Sequence, residues 1–96
     1  MVVRDPKPVG AVLQTVIDAA GWRKKFEEVT IMETWAALAG APINAVTEKV
    51  WITKDRLHVR IRSAAWRHEL NLQRGDWLAR LNEELGRARI AEIVFR

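Results

Sequence analysis

A mixed α+β domain, with helices covering one face of a small three-stranded sheet, is the fold class this sequence predicts. Three observations carry it. Apolar residues recur at helical spacing in the first forty residues and again over 64–85, two stretches on either side of Lys54-Asp55 alternate with period two, and residues 90–96 alternate again. Helices with one apolar stripe can bury it against only one face of such a sheet, which leaves the other face in water. The predicted order is α-α-β-β-α-α-β.

Residues 1–7 read as a flexible lead-in and 8–96 as one domain. Pro8 suits the first turn of a helix, where its missing N–H would be unpaired anyway. Val9, Val12, Leu13, Val16, Ile17 and Ala20 form that helix's stripe, and Gly21 is expected to end it. A second helix is predicted over 22–39. Trp22, Phe26, Val29, Trp35, Leu38 and Ala39 would share its broad inner face, and the β-branched trio Val29-Thr30-Ile31 predicts a kink or short break. Gly40-Ala41-Pro42 stops this helix and sends the chain into extended conformation.

From Asn44 the period is two. Val46, Val50 and Ile52 point to the core side, with Glu48 on that side near the sheet's end, and Thr47, Lys49, Trp51 and Thr53 point the other way. A two-residue loop at Lys54-Asp55 sets Ile52 opposite Leu57, Trp51 opposite His58, Val50 opposite Val59 and Lys49 opposite Arg60, so that each pair shares a face. A loop one residue longer would throw the apolar sets onto opposite faces. Ser63 then caps a helix opening at Ala64, with Trp66 and Leu70 on its inner stripe. Gly75 as a stop and Asp76 as a cap predict two helices joined by a short turn, with one bent helix as the alternative. Trp77, Leu78, Leu81 and Leu85 line the later helix, and Gly86 closes it. On the last strand Ala91, Ile93 and Phe95 face one way and Glu92, Val94 and Arg96 the other.

Ninety-six residues leave room for one core, and 49% hydrophobic against 29% charged residues is the balance of a folded chain. Absence of cysteine excludes disulfides, thiolate nucleophiles and cysteine zinc sites, and agrees with a reducing, cytoplasmic compartment. No apolar run reaches the length of a membrane span or signal segment, so a soluble, unexported protein is expected. The net charge of +4 resides in the second half: residues 1–48 carry five Lys/Arg against six Asp/Glu, and residues 49–96 carry eleven against six, nine of the eleven being Arg. Arginine pairs with phosphate or carboxylate and stacks on flat rings, so the partner is a polyanion or an acidic protein surface.

The water-facing side of the sheet would show Thr47, Lys49, Trp51, Thr53, Arg56, His58, Arg60, Arg62 and Arg96, with Glu92 as its acidic member. Cations beside an exposed tryptophan suit single-stranded nucleic acid, whose bases stack on the ring while phosphates meet the charges. The alternative is that the basic stems merely cover Trp51 and solubilise the face. Trp35, Trp66 and Trp77 lie on helical stripes and read as core. Trp22, where two helices are expected to meet, is a candidate protein anchor. His58 and His68 lack any metal-ligand or catalytic spacing, Ser63 has no base, and no glycine pattern matches a nucleotide-binding loop, so the reading is a binding protein without enzymatic activity, cofactor or metal.

Trp35-Ala-Ala-Leu-Ala-Gly40, the run Leu57-His-Val-Arg-Ile-Arg-Ser63-Ala-Ala-Trp66-Arg-His-Glu-Leu70, Leu81-Asn82 and Ile93-Val-Phe-Arg96 together resemble the DciA family of bacterial replicative-helicase operators. The resemblance runs over residues 8–96. It implies a KH-like domain in a cytoplasmic, nucleoid-associated accessory protein that engages the DnaB-type replicative helicase and promotes its loading on DNA, single-stranded or duplex. On that reading Lys49, Trp51, Arg56, Arg60 and Arg62 contact DNA, Arg67 and Arg74 are flanking phosphate contacts, and Trp22, Trp35 and Trp66 contact the helicase. A homo-oligomer is compatible with it. One feature departs from nucleic-acid-binding KH domains, which clamp the backbone with a Gly-x-x-Gly turn, whereas Gln73-Arg74-Gly75-Asp76 has one glycine. Two rival readings share the basic face: a KH-like RNA-binding module, and a protein-interaction or homodimer domain whose Arg-rich sheet meets an acidic surface.

Overall fold

The computed structural model describes the backbone from Gly10 to Arg96 and side chains from Gly21 onward. The expected lead-in over residues 1–7, the helix start at Pro8 and the stripe from Val9 to Ala20 therefore lie outside what is described. Seven elements follow in order: α1 Gly10–Ala39, α2 Ala41–Ala45, β1 Thr47–Thr53, β2 Arg56–Ile61, α3 Ala64–Leu72, α4 Arg74–Leu85 and β3 Glu92–Phe95.

The sequence of element types is the expected one, but the first two helices divide differently. α1 runs unbroken for 30 residues, through Gly21 and through the β-branched trio. A glycine ends a helix by turning left-handed, and Gly21 does not. Its cost inside a helix, about 1 kcal/mol, is absorbed by a long cooperative element. Within the trio the Thr30 hydroxyl donates to the Phe26 carbonyl at 2.9 Å, Thr34 repeats this on Thr30 at 2.8 Å, and Ile31 is anchored in the core. The stop falls at Gly40, with φ of 86°. Beyond it the chain enters the short helix α2 and does not extend. Pro42 occupies the first turn of α2, Ile43 drops into the core, and Asn44 Nδ2 donates to the Ala36 carbonyl at 2.8 Å.

Trp22, Phe26 and Val29 do not share the inner face of Trp35. Residues 21–26 are exposed all round the helix, Trp22 and Phe26 at 66% and 67%, because this part of α1 reaches past the body of the domain.

The sheet has the order β1-β2-β3, with β2 antiparallel to β1 and parallel to β3. α3 and α4 form the crossover that a parallel neighbour requires. The hairpin pairs Ile52 with Leu57, Trp51 with His58, Val50 with Val59 and Lys49 with Arg60, as the alternation predicts. Lys54, at φ of 59°, supplies the left-handed turn residue. A bulge between Thr47 and Lys49 turns Glu48 out to solvent, so it does not sit on the apolar side as expected. β3 begins at Glu92, and Ala91, whose N–H donates to the Asp55 carbonyl (2.8 Å) ahead of the strand, is exposed and does not join Ile93 and Phe95 on the buried face.

Ser63 caps α3, accepting the Trp66 N–H at 3.3 Å. Leu70 is buried, but Trp66 is 37% exposed and does not belong to the inner stripe. The inner arc of α3 is instead Arg67, Leu70 and Asn71, and its two polar members satisfy sheet carbonyls: Arg67 Nη1 donates to Ile61 at 3.0 Å and Asn71 Nδ2 to Phe95 at 3.3 Å. Trp66 stands at the edge of that arc. α3 and α4 are two helices joined at Gln73 alone. Gly75 and Asp76 lie inside the first turn of α4, where Asp76 complements the helix dipole without capping it. Gly86, left-handed at φ of 80°, closes α4 as predicted.

Trp35 lies at the centre of the core, fully buried, with Trp77 edge-on at 5.3 Å and Phe95 at 5.7 Å between ring centroids. Ile31, Ile43, Leu57, Val59, Ile61, Leu70, Leu81, Ile90 and Ile93 complete it. Helices thus pack against one face of a three-stranded sheet, the layering of a KH-like fold. The turn into β3 is fixed by Asn82, whose Oδ1 accepts the N–H groups of Arg89 (3.1 Å) and Ile90 (2.9 Å) while Nδ2 donates to the Ile90 carbonyl (2.8 Å).

The same turn is tied to α1 by Glu27, which accepts from Arg89 Nε at 3.0 Å and from Arg87. The Arg89 hydrogen bond, with the charges of Arg89 and Arg87, holds the Glu27 carboxyl below its ordinary value against a smaller opposing effect of burial. A carboxylate lowered in this way stabilises the fold fully above the usual carboxylate range, and that contribution fades as pH falls through the lowered value. Glu27→Gln is therefore expected to lower the urea midpoint at pH 7, by an amount that shrinks as pH falls through the lowered carboxyl value. A difference that persisted in acid would assign the effect to packing.

Candidate nucleic-acid interface

β2 is the centre strand, and its outward residues Arg56, His58 and Arg60 are each flanked on both sides. Ladder pairing makes three rows across the open face: Thr53, Arg56 and Glu92; Trp51, His58 and Val94; and Lys49, Arg60 and Arg96. Arg96 extends the parallel ladder by one residue, its N–H donating to the Val59 carbonyl at 3.0 Å and its carbonyl accepting from Ile61 at 2.7 Å.

The rows differ in charge. Arg56 Nε lies 3.3 Å from Glu92 Oε1, which neutralises the row nearest the hairpin turn. At the other end Lys49, Arg60 and Arg96 are all exposed, and among the described residues none of the three pairs with a carboxylate. Each stands over Trp51, with Lys49 Nζ 5.2 Å, Arg60 Cζ 5.4 Å and Arg96 Cζ 5.9 Å from the ring centroid. Cation–π attraction of about 0.5–1 kcal/mol per exposed contact holds the cations there, against the mutual repulsion of Lys49 and Arg60 directly across the ladder. An anion laid along the row would relieve that repulsion.

His58 is not a surface residue. The Trp51 ring stacks on it with centroids 5.0 Å apart and planes 5° from parallel, and the imidazole is only 8% exposed. Neither ring nitrogen has a hydrogen-bond partner. Burial first, then the charges of Arg96 and Arg56, push its pKa down, with Glu92 opposing. The imidazole is therefore neutral at pH 7 and adds no charge to the face. It serves as the flat base on which Trp51 rests.

Of the residues singled out for DNA, Lys49, Trp51 and Arg60 come together in one cluster. Arg56 is on the same face but paired. Arg62 turns away to donate to the Ala45 carbonyl (2.6 Å), Arg67 is spent on Ile61, and Arg74 lines a shallow depression with Asp55, Arg56 and Glu92 at the opposite end of the sheet. Arg96, not singled out as a contact, completes the cluster. Its signal lay in the alternation of β3, but only the parallel register brings it beside Arg60. Of the tryptophans singled out for a protein partner, Trp22 and Trp66 are exposed, whereas Trp35 is wholly buried and has no surface to offer. Among the described residues no group of His, Asp and Glu is placed to hold a metal ion, and no helix is long and apolar enough to cross a membrane.

No solved structure matches the chain. Among curated proteins, a UPF0232 protein of Streptomyces coelicolor is 32% identical over 92 residues, covering 94% of this chain and 48% of that protein. A UPF0232 protein of Rhodococcus jostii is 30% identical over 83 residues, covering 86% and 44%. One from Corynebacterium glutamicum is 29% identical over 91 residues, covering 95% and 51%. The chain thus spans about half the length of the curated relatives it matches. The family model described as "Dna[CI] antecedent, DciA" matches residues 8–95, nearly every position described above. The chain belongs to the DciA family of bacterial DNA-replication proteins.

Proposed function

We propose that this chain is a non-enzymatic accessory of the DnaB-type replicative helicase, which holds DNA on the open face of its sheet, engages the helicase through exposed helix surface, and so promotes placement of the helicase on DNA. The row of Lys49, Arg60 and Arg96 gathered over Trp51, with no carboxylate paired to it among the described residues, carries the DNA half of this reading. Phosphates meeting those cations release counterions, and a base stacking beside them uses the aromatic surface. The α3–α4 junction supports the sheet as the contact, because a single non-glycine residue leaves no Gly-x-x-Gly loop to clamp a backbone.

For the helicase half, family membership supports the partner and Trp66 supports the surface. With Ala65 and Glu69, Trp66 lines a shallow depression on α3, and tryptophan is among the residues enriched at the energetic hot spots of protein interfaces. The test is capture of the purified helicase by the purified protein after nuclease treatment, so that no DNA bridges the two. The wild type is expected to bind, and Trp66→Ala to bind at least about tenfold more weakly with an unchanged thermal midpoint. A large fall in stability would return Trp66 to a packing role. Failure of the folded wild type to bind would leave a nucleic-acid-binding module, and preference for RNA over DNA of the same sequence would then favour the RNA reading.

A further inference from the structure

α1 reverses its apolar stripe midway along its length. Ile31, Trp35 and Leu38 face the core. At about 100° per residue, Trp22, Phe26 and Val29 lie on the opposite side of the same helix, where all three are exposed. Among the described residues nothing covers them. The spacing continues through Glu33 and Ala36, so that residues 22, 26, 29, 33 and 36 recur at intervals of four, three, four and three. That is the 3.5-residue period of a coiled-coil seam, distinct from the broader stripe of a helix packed on a globular core.

The seam carries its charges at its two ends. Arg23 and Lys25 flank Trp22 at one end, and Glu33 occupies the seam itself at the other. Parallel pairing would set Glu33 against Glu33 and the basic flanks against each other. Antiparallel pairing about a two-fold axis between Phe26 and Val29 sets Phe26 against Val29 in both directions and brings each Glu33 to the Trp22 of the other copy, between Arg23 and Lys25. A patch that satisfies itself under two-fold rotation is the requirement of an isologous dimer. Ala36 and Ala37, beside Glu33, leave room for the incoming indole.

We propose that the exposed face of α1 is an antiparallel, two-stranded coiled-coil interface with a second copy of this chain. Three large apolar side chains per copy bury less than about 1,200 Å² in total, the lower end of specific interfaces, so the dimer is weak and concentration-dependent. The open sheet face takes no part, and the inference does not depend on the helicase reading.

Sedimentation equilibrium of the 96-residue chain, from about 1 to 200 µM, tests it against the micromolar affinity such an interface supports. A reversible monomer–dimer equilibrium is expected. W22A/F26A should weaken it at least about tenfold while the far-ultraviolet circular dichroism and thermal midpoint stay those of the wild type. R23E should also weaken it, by facing Glu33 of the second copy with like charge, and R23E/E33K should restore it. A protein that stays monomeric at about 200 µM, or a dimer indifferent to W22A/F26A, overturns the proposal. A dimer that R23E/E33K leaves as weak as R23E overturns the antiparallel arrangement.

Discussion

Trp35→Ala is expected to cost about 3–5 kcal/mol, the range for truncating a large buried aromatic. Domains of this size have only about 5–15 kcal/mol of stability, so the variant should melt about 15–30 °C lower or fail to fold at 37 °C. The size of the effect follows from what meets at this one ring. Trp35 is carried by α1, its edge-on neighbour Trp77 by α4, and its tilted neighbour Phe95 by β3, so a cavity here loosens three elements together. The Trp35 Nε1 donor has no hydrogen-bond partner, which is a cost the native protein already bears. Trp35→Phe removes that donor and keeps most of the ring, and it should be far milder than alanine. Thermal and urea unfolding of the two variants checks the argument, and equal losses would mean that the indole acts through something other than packing.

The second large effect concerns DNA affinity. Simultaneous Lys49→Ala, Arg60→Ala and Arg96→Ala should reduce binding to a labelled oligonucleotide by about 100-fold or more at low salt. The slope of log K against log salt should fall by about two to three units, close to one per lost phosphate contact. Trp51→Ala should behave differently. It removes a stacking platform worth about 1–3 kcal/mol per base and should lower affinity with little change in slope. Arg56→Ala should have a smaller effect than any member of the row, because Arg56 already spends its charge on Glu92. Fluorescence anisotropy across a salt series, with single strands and duplexes side by side, separates these outcomes. A triple variant whose slope equals that of the wild type would remove the sheet face from the DNA reading.

What could be read in advance was mostly what is decided locally or by parity. The hairpin register followed from the alternation alone, because any one-residue slip would carry Leu57, Val59 and Ile61 to the wrong face. Ser63 and Gly86 acted as cap and stop because each satisfies backbone groups of the turn beside it. Gly21 shows where local signals give out. Its permissiveness allows a stop without compelling one, and the helix continues on both sides of it. His58 was misplaced because alternation specifies a face and not what its neighbours cover, and here Trp51 from the adjacent strand buries it. Arg96 joined the candidate site only through the parallel ladder, a contact between residues far apart in the chain. Trp66 was read as core from its spacing to Leu70, but two polar side chains that bond the sheet set the inward face of α3.

The position of β3 bears on how the molecule is made. β2 acquires its first neighbour as soon as the hairpin is synthesised, but its other edge waits for residues 92–95, after the whole of α3 and α4. Ile93 and Phe95 arrive with that strand, and Phe95 is one of the two rings against Trp35. A nascent chain stopped anywhere short of β3 therefore presents β2 with one edge unpaired and an open hydrophobic layer, the kind of species that aggregates or is held by chaperones. Emergence of β3 from the ribosome is the event that lets the sheet and the core around Trp35 close.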